Sequence, residues 1–177
     1  MFQTILLKKE NIPSKTAIET VVHSLGYNFK IIGDYDHYET IIGGGNILEC
    51  SINDFPSDVE MYVQKIEDVL PEIDFLKSDL SNEDTAISFV WVADNFTGIC
   101  IGLISIALIE ICNAIVAFDY ESHEGRKVKL SKQMIIKQTE DLLKRLPDHA
   151  IILDVGFTSE KNQKKRSIWN WFKNIFK

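Results

Sequence analysis

The stretch GICIGLISIALIEICNAIVAF, residues 98–118, decides how this fold is interpreted, because Glu110 is its only charged residue. Such a window is compatible with a membrane-spanning helix, which needs about 20 apolar residues, and with the buried centre of a domain that folds in water. An acid in the middle of a span costs at least about 2.5 kcal/mol on insertion, and residues 78–125 contain no lysine or arginine to anchor a span at the interface. We therefore interpret the stretch as the core of a soluble domain.

Local propensity divides this stretch into a strand, a short helix and a second strand. Residues 97–104 are strand-like in composition, and Ser105 can then cap a helix of sequence IALIEICN that ends at Asn113. Residues 114–120 predict the next strand. On this interpretation Glu110 lies on the exposed face of its helix or is paired with a cation.

The residues before this stretch predict a first helix near the N-terminus and several strands. Apolar residues recur with a helical period over residues 16–25, where Thr16 and Glu19 have the spacing of a capping box and Gly26 ends the helix. Strands are predicted at residues 2–8, 27–32, 39–42, 47–52 and 86–93.

A second helix is predicted over residues 57–70. Ser57 and Glu60 have capping-box spacing directly after Pro56, and the apolar residues that follow keep a helical register. Because Pro71 can kink or restart a helix, residues 72–80 could continue it at an angle.

The remaining elements complete a single α+β domain over residues 1–160, with a mostly antiparallel sheet and packed helices. Residues 130–146 predict a helix and residues 150–155 a last strand. Residues 161–177 form a separate basic tail that predicts an amphipathic C-terminal helix. The predicted inward residues of the 130–146 helix are Met134, Ile135, Leu142 and Leu146.

Charge is segregated along the chain, whose net charge is −7. Residues 31–125 contain nineteen acidic residues and two lysines, whereas residues 126–177 contain thirteen basic and five acidic residues. A surface of one sign accelerates association with a partner of the opposite sign and repels phosphate. We therefore predict no direct contact with nucleic acid, although an acidic surface that serves only solubility fits the same composition.

The chain contains no recognisable motif for catalysis, a metal or a cofactor, and we predict none of these. Asp34, Asp36 and His37 match no calcium or zinc spacing, and the glycines at 43–45 lack the Lys-Ser/Thr and helix start of a P-loop. The three cysteines are odd in number and widely spaced, which favours a reducing, cytoplasmic location.

Two acidic segments with interleaved tyrosines are the predicted partner-binding residues. Both fall in predicted loops or at strand ends, where aromatic side chains can anchor a protein interface beside carboxylates. They are Asp34, Tyr35, Asp36, Tyr38 and Glu39 in the first segment, and Asp119, Tyr120, Glu121 and Glu124 in the second.

The chain resembles, in its overall properties, the immunity proteins that bacteria keep against polymorphic and contact-delivered toxins. The shared properties are small size, acidic charge, an α+β domain and the lack of an active-site motif. The resemblance implies a cytoplasmic inhibitor that binds a cognate toxin, such as a nuclease with a basic cleft. Two alternatives remain open: an enzyme whose site is assembled from distant residues, and a peripheral membrane or scaffold protein that uses the C-terminal helix. For the tail itself, contact with anionic lipid, with a partner and with the acidic body are the three possibilities.

Overall fold

The computed structural model describes residues 2–33, 35, 45–91, 94–120 and 126–146. The predicted strands at 39–42 and 150–155 and the predicted C-terminal helix lie outside these residues.

The described residues form one seven-stranded sheet in which every neighbouring pair is antiparallel, in agreement with the predicted α+β class. The strands are β1 Phe2–Leu7, β2 Phe29–Ile31, β3 Gly45–Ile52, β4 Phe55–Lys65, β5 Thr85–Val90, β6 Ile115–Tyr120 and β7 Arg126–Leu130. Their spatial order is β2-β3-β4-β5-β1-β6-β7.

Three of the helices form a layer on one side of the sheet. They are α1 Lys15–Ser24, α3 Asn95–Cys112 and α4 Lys132–Leu143, and the main core lies between them and the strands. The other side carries the segment of residues 66–80, which contains the short helix α2 Ile66–Val69 and a one-turn 3-10 helix, Asp74–Leu76. A smaller apolar cluster lies beneath this segment. Residues 72–80 are therefore turns and one 3-10 turn instead of the predicted continuation helix.

Residues 98–112 belong to a single buried helix, α3, which is followed by β6. Asp94 caps α3, with its carboxylate accepting the Thr97 amide at 2.8 Å, so the predicted strand over residues 97–104 is wrong. Ser105 lies inside the helix, where its hydroxyl donates to the Ile101 carbonyl at 2.7 Å. Burial of every residue from 97 to 108 overrides the strand propensity of its β-branched residues. The predicted helix end at Asn113 and the strand that follows are confirmed.

Among the described residues, α3 is the one helix long and apolar enough to cross a membrane by length and composition, and 67% of that window is buried inside the fold. Its polar groups are accommodated within the domain. Gln3 of β1 donates to Ser105 at 2.5 Å, and Glu110 pairs with Lys132 of α4, as expected for a paired acid.

The predicted helix over residues 57–70 is wrong, because most of it belongs to β4. Val59, Met61 and Val63 are buried while Asp58 and Glu60 point to the other side of the sheet, which is the two-residue period of a strand. Hydrogen bonds to β3 and β5 on both sides fix this conformation.

Smaller differences concern helix ends and one missed strand. Ser14, whose side chain accepts from Ala17, caps α1 instead of Thr16, and Gly26 has φ 93° where the helix ends. β7 was not predicted. Ile135, Leu142 and Leu146 are buried as expected, but Met134 is 43% exposed.

Candidate protein-binding face

At one end of the sheet, one of its two faces is not covered by any helix of the described residues. Side chains of a strand alternate between the two sides, so the residues that point away from α3 form this surface. We call it the open face, and its residues are Phe2, Thr4, Glu60, Tyr62, Gln64, Ser88, Val90 and Asp119 together with Glu72 and Phe75 from the 66–80 segment.

Strand register places most of the open-face residues in two rows across four strands. In the first row, Phe2 of β1 lies between Val90 of β5 and Asp119 of β6, and Val90 lies opposite Glu60 of β4. In the second row the hydroxyl groups of Thr4 and Ser88 are 3.1 Å apart. The two carboxylates of the first row therefore flank an apolar centre.

A groove of 490 Å³ lies between this part of the sheet and the 66–80 segment. Its lining combines negative charge with apolar surface, since Phe2 there is 38% exposed. Phe75, which is 39% exposed, lines a smaller pocket that shares Phe2 with the groove. The lining residues are Phe2, Tyr62, Gln64, Glu72, Ser88 and Asp119.

The hydroxyl of Tyr62 donates a hydrogen bond to the Glu60 carboxylate. This bond raises the pKa of Tyr62, because ionisation of the phenol would place a second negative charge beside the first. Tyr62 is thereby kept as a neutral, half-exposed ring with its polar end tied to a carboxylate.

Cations near the face are few among the described residues. Lys127 of β7 lies directly opposite Asp119, and Lys129 forms an ion pair with Asp79 at 3.1 Å. Both lie at the β7 edge, so the Glu60 side of the groove has no lysine or arginine among its lining residues.

The structure separates the residues predicted to bind a partner. Asp119 lies on the open face, and Tyr120 ends β6 beside it. Tyr35 is only 1% exposed and belongs to the core, and its role in partner binding stays a prediction. The predicted contacts outside the described residues are Asp34, Asp36, Tyr38, Glu39, Glu121 and Glu124.

Glu60, Tyr62 and Glu72 were missed by the sequence analysis. Residues two apart diverge on a helix but share one face of a strand, so the wrong helix separated Glu60 from Tyr62. The alternation of polar and apolar residues over 57–64 was the signal that could have identified them.

Other polar groups have structural explanations. The ring Nε2 of His23 is 2.8 Å from the Phe29 carbonyl oxygen, which ties α1 to β2. A hydrogen bond with Cys100, together with burial, raises the pKa of the Cys50 thiol, and burial raises the pKa of Cys112. These thiols are protonated at neutral pH and therefore weak nucleophiles. Within the described ranges, no group of three or more His, Cys, Asp or Glu side chains could hold a metal ion.

A second groove, of 560 Å³, lies at the opposite end of β4 and β5. Its charges are mixed, because Lys9 and Lys65 line it with Glu67, Asp68 and Asp84. Asp84 accepts hydrogen bonds from the Lys9 amide at 2.7 Å and the Thr85 hydroxyl at 2.8 Å, and these bonds lower its pKa. Asp84 therefore holds two segments of the fold together.

The open face thus combines carboxylates with aromatic rings around one groove. No protein-family model, no curated protein and no solved structure matches this chain.

Proposed function

We propose that this protein binds a basic protein through the open face and blocks its activity, as an immunity protein neutralises a toxin enzyme with a basic active-site cleft. The observation that supports the proposal is the groove in which Glu72 and Asp119 surround Phe2 and Tyr62, with Glu60 at its side. Charged and aromatic groups are combined there on one exposed surface.

The spacing of the carboxylates fits a cleft that accepts nucleic acid. Glu60 and Asp119 are separated by β5 and β1, and three strand spacings of about 4.8 Å place their backbones about 14 Å apart. A major groove of double-stranded DNA is about 12 Å wide, so an enzyme that binds such a duplex presents cations at a comparable separation. Carboxylates at this spacing can occupy the positions of phosphates.

The aromatic side chains give the surface its affinity. Opposite charges across an interface mainly accelerate association and exclude wrong partners, whereas a few aromatic anchors in desolvated pockets supply most of the binding energy. Phe2 and Tyr62 lie side by side with the carboxylates and are the expected anchors.

The test compares two matched variants of the full chain. The face variant is Glu60→Gln/Glu72→Gln/Asp119→Asn, and the control variant, Glu10→Gln/Glu140→Gln/Asp141→Asn, removes as many charges outside the open face. Tagged chains are used to capture partners from the cells that make them, at low and at high salt. We expect a stoichiometric partner to be retained by the wild type and the control variant, and lost from the face variant.

Inhibition is then measured by co-expression. The captured protein is expressed alone, with the wild type, and with each variant, and growth is recorded. We expect toxicity that the wild type and the control variant suppress and the face variant does not. A partner that binds the face variant as well as the wild type, or whose activity continues in the complex, would contradict the proposal.

A further inference from the structure

We propose that the tail, residues 161–177, docks on the open face of its own molecule and covers the groove. Docking of the tail does not depend on the identity of any partner, so it can be tested whether or not the proposed inhibition is correct.

The tail and the open face are complementary in charge and in chemistry. Residues 161–177 contain six basic and no acidic residues, and they include the aromatic residues Trp169, Trp171, Phe172 and Phe176. The open face offers carboxylates beside the exposed rings of Phe2 and Phe75. An apolar segment with positive flanks can therefore bury aromatic surface there while its cations meet the carboxylates.

The chain leaves α4 at the end of the sheet where the first row of the open face lies. α4 runs antiparallel to α3, because Lys132 pairs with Glu110 at one end while Leu142 and Trp91 both lie against Gly98 at the other. Trp91 directly follows Val90, the residue of β5 that lies opposite Phe2 and Glu60. Among the described residues, the path from Leu146 to the open face thus crosses only the end of the sheet.

The connecting residues are long enough for this path. Fourteen residues, 147–160, separate Leu146 from the tail. At roughly 3.3 Å per residue an extended chain of this length reaches about 46 Å, whereas a domain of this size is roughly 40 Å across. Because the tail is tethered to the same chain, its local concentration at the open face is high, which favours the intramolecular contact over one between molecules.

Tryptophan fluorescence of the full chain tests the proposal, because Trp91 is the only tryptophan outside the tail. In a Trp91→Phe background, which keeps a ring packed against Phe118, emission reports Trp169 and Trp171 alone. We expect the acrylamide quenching constant of the tail at 0.1 M salt to be about threefold or more below that of a free tryptophan derivative, because an interface core excludes solvent. Raising the salt to 1 M, where the Debye length falls from about 10 Å to about 3 Å, should increase quenching.

The face variant and the control variant are then introduced into the same background. Neutralising the open face should raise the quenching constant of the tail to that of the free derivative, and the control variant should leave it unchanged. Zero-length carbodiimide cross-linking of the unmodified chain gives a second readout. Tail lysines should link to peptides that contain Glu60, Glu72 or Asp119.

Four results would overturn the proposal. The first is that the tail tryptophans are as accessible to acrylamide at low salt as the free derivative, and the second is that the face variant leaves their protection from acrylamide intact. The third is that this protection rises with protein concentration and so arises between molecules. The fourth is that the protection appears only when vesicles containing anionic lipid are added. The last result would instead assign the tail to a membrane surface.

Discussion

Substitution of Gly102 by alanine tests the packing of α3 against α4, on which the helix layer depends. A Cβ atom added at Gly102 would lie 2.2 Å from the Oγ1 atom of Thr139, which is 1% exposed and donates a hydrogen bond to the Ile135 carbonyl at 2.9 Å. Relief of this overlap requires either a shift of α4 or a rotation of Thr139 that breaks the bond.

The expected loss follows from opposing contributions to the free energy of unfolding. Overpacking costs about 1–3 kcal/mol, and a buried hydroxyl that loses its partner costs about 1–3 kcal/mol, whereas replacing glycine by alanine inside a helix contributes about 1 kcal/mol of stability. Since only one of the two costs applies, we expect Gly102→Ala to lower the free energy of unfolding by up to about 2 kcal/mol. Urea denaturation followed by circular dichroism measures this difference.

A double-mutant cycle separates the contact from other effects. Thr139→Ala removes the atom that Gly102→Ala would meet, so the double variant should recover at least about 1 kcal/mol relative to the sum of the single variants. If Gly102→Ala alone were as stabilising as helix propensity predicts, the described approach of α4 to α3 would be refuted.

Three further predictions concern local structure. Ser14→Ala should destabilise the fold by about 1 kcal/mol because it removes the observed cap of α1, whereas Thr16→Ala should have little effect; equal losses in urea denaturation would contradict the assignment of the cap. Asn113→Ala should cost about 1–2 kcal/mol because φ is 53° at this position, and Asn113→Gly should not, which thermal unfolding of both variants can check. The pKa of Asp84 is lowered, so its stabilising contribution is present above its ordinary pKa of 3.8 and is lost as pH falls through the lower folded-state pKa. Asp84→Asn should therefore reduce the dependence of the free energy of unfolding on pH below about 4. If this dependence were the same in the variant and the wild type, the stabilising role of Asp84 would be excluded.

Strands with apolar runs and helices with one buried face could be predicted from the sequence because their local pattern and their environment agree. β1, β5 and β6 combine apolar or β-branched runs with turn signals, and α1 has the expected helical period. The single-domain antiparallel α+β class follows from these elements.

The two wrong elements failed for opposite reasons. α3 is apolar on almost every side, so it has no period that would distinguish a helix from strands, and its burial is set by the sheet and α4. In β4, Val59, Tyr62, Val63 and Ile66 fit a helical spacing, while Val59, Met61 and Val63 fit a strand equally well. Only pairing with β3 and β5, which are distant in sequence, selects the strand.

The candidate site was predictable only in part. Asp119 could be found as an acid beside a tyrosine near a strand end, because that is a local property of the sequence. Strand order and the return of the 66–80 segment across the sheet bring Asp119 together with Glu60, Tyr62, Glu72 and Phe2. No local pattern contains that information.

The association rate of the captured partner with the face variant tests the central claim most directly. Both the face variant and the control variant carry Lys164→Gln/Lys165→Gln/Arg166→Gln in the tail, so that docking of the tail cannot mask the comparison. We predict that the face variant associates at least about tenfold more slowly than the control variant at low salt, and that the difference shrinks near 1 M salt, where the Debye length is about 3 Å. Equal rates for the two variants at low salt would contradict the assignment of partner binding to the open face.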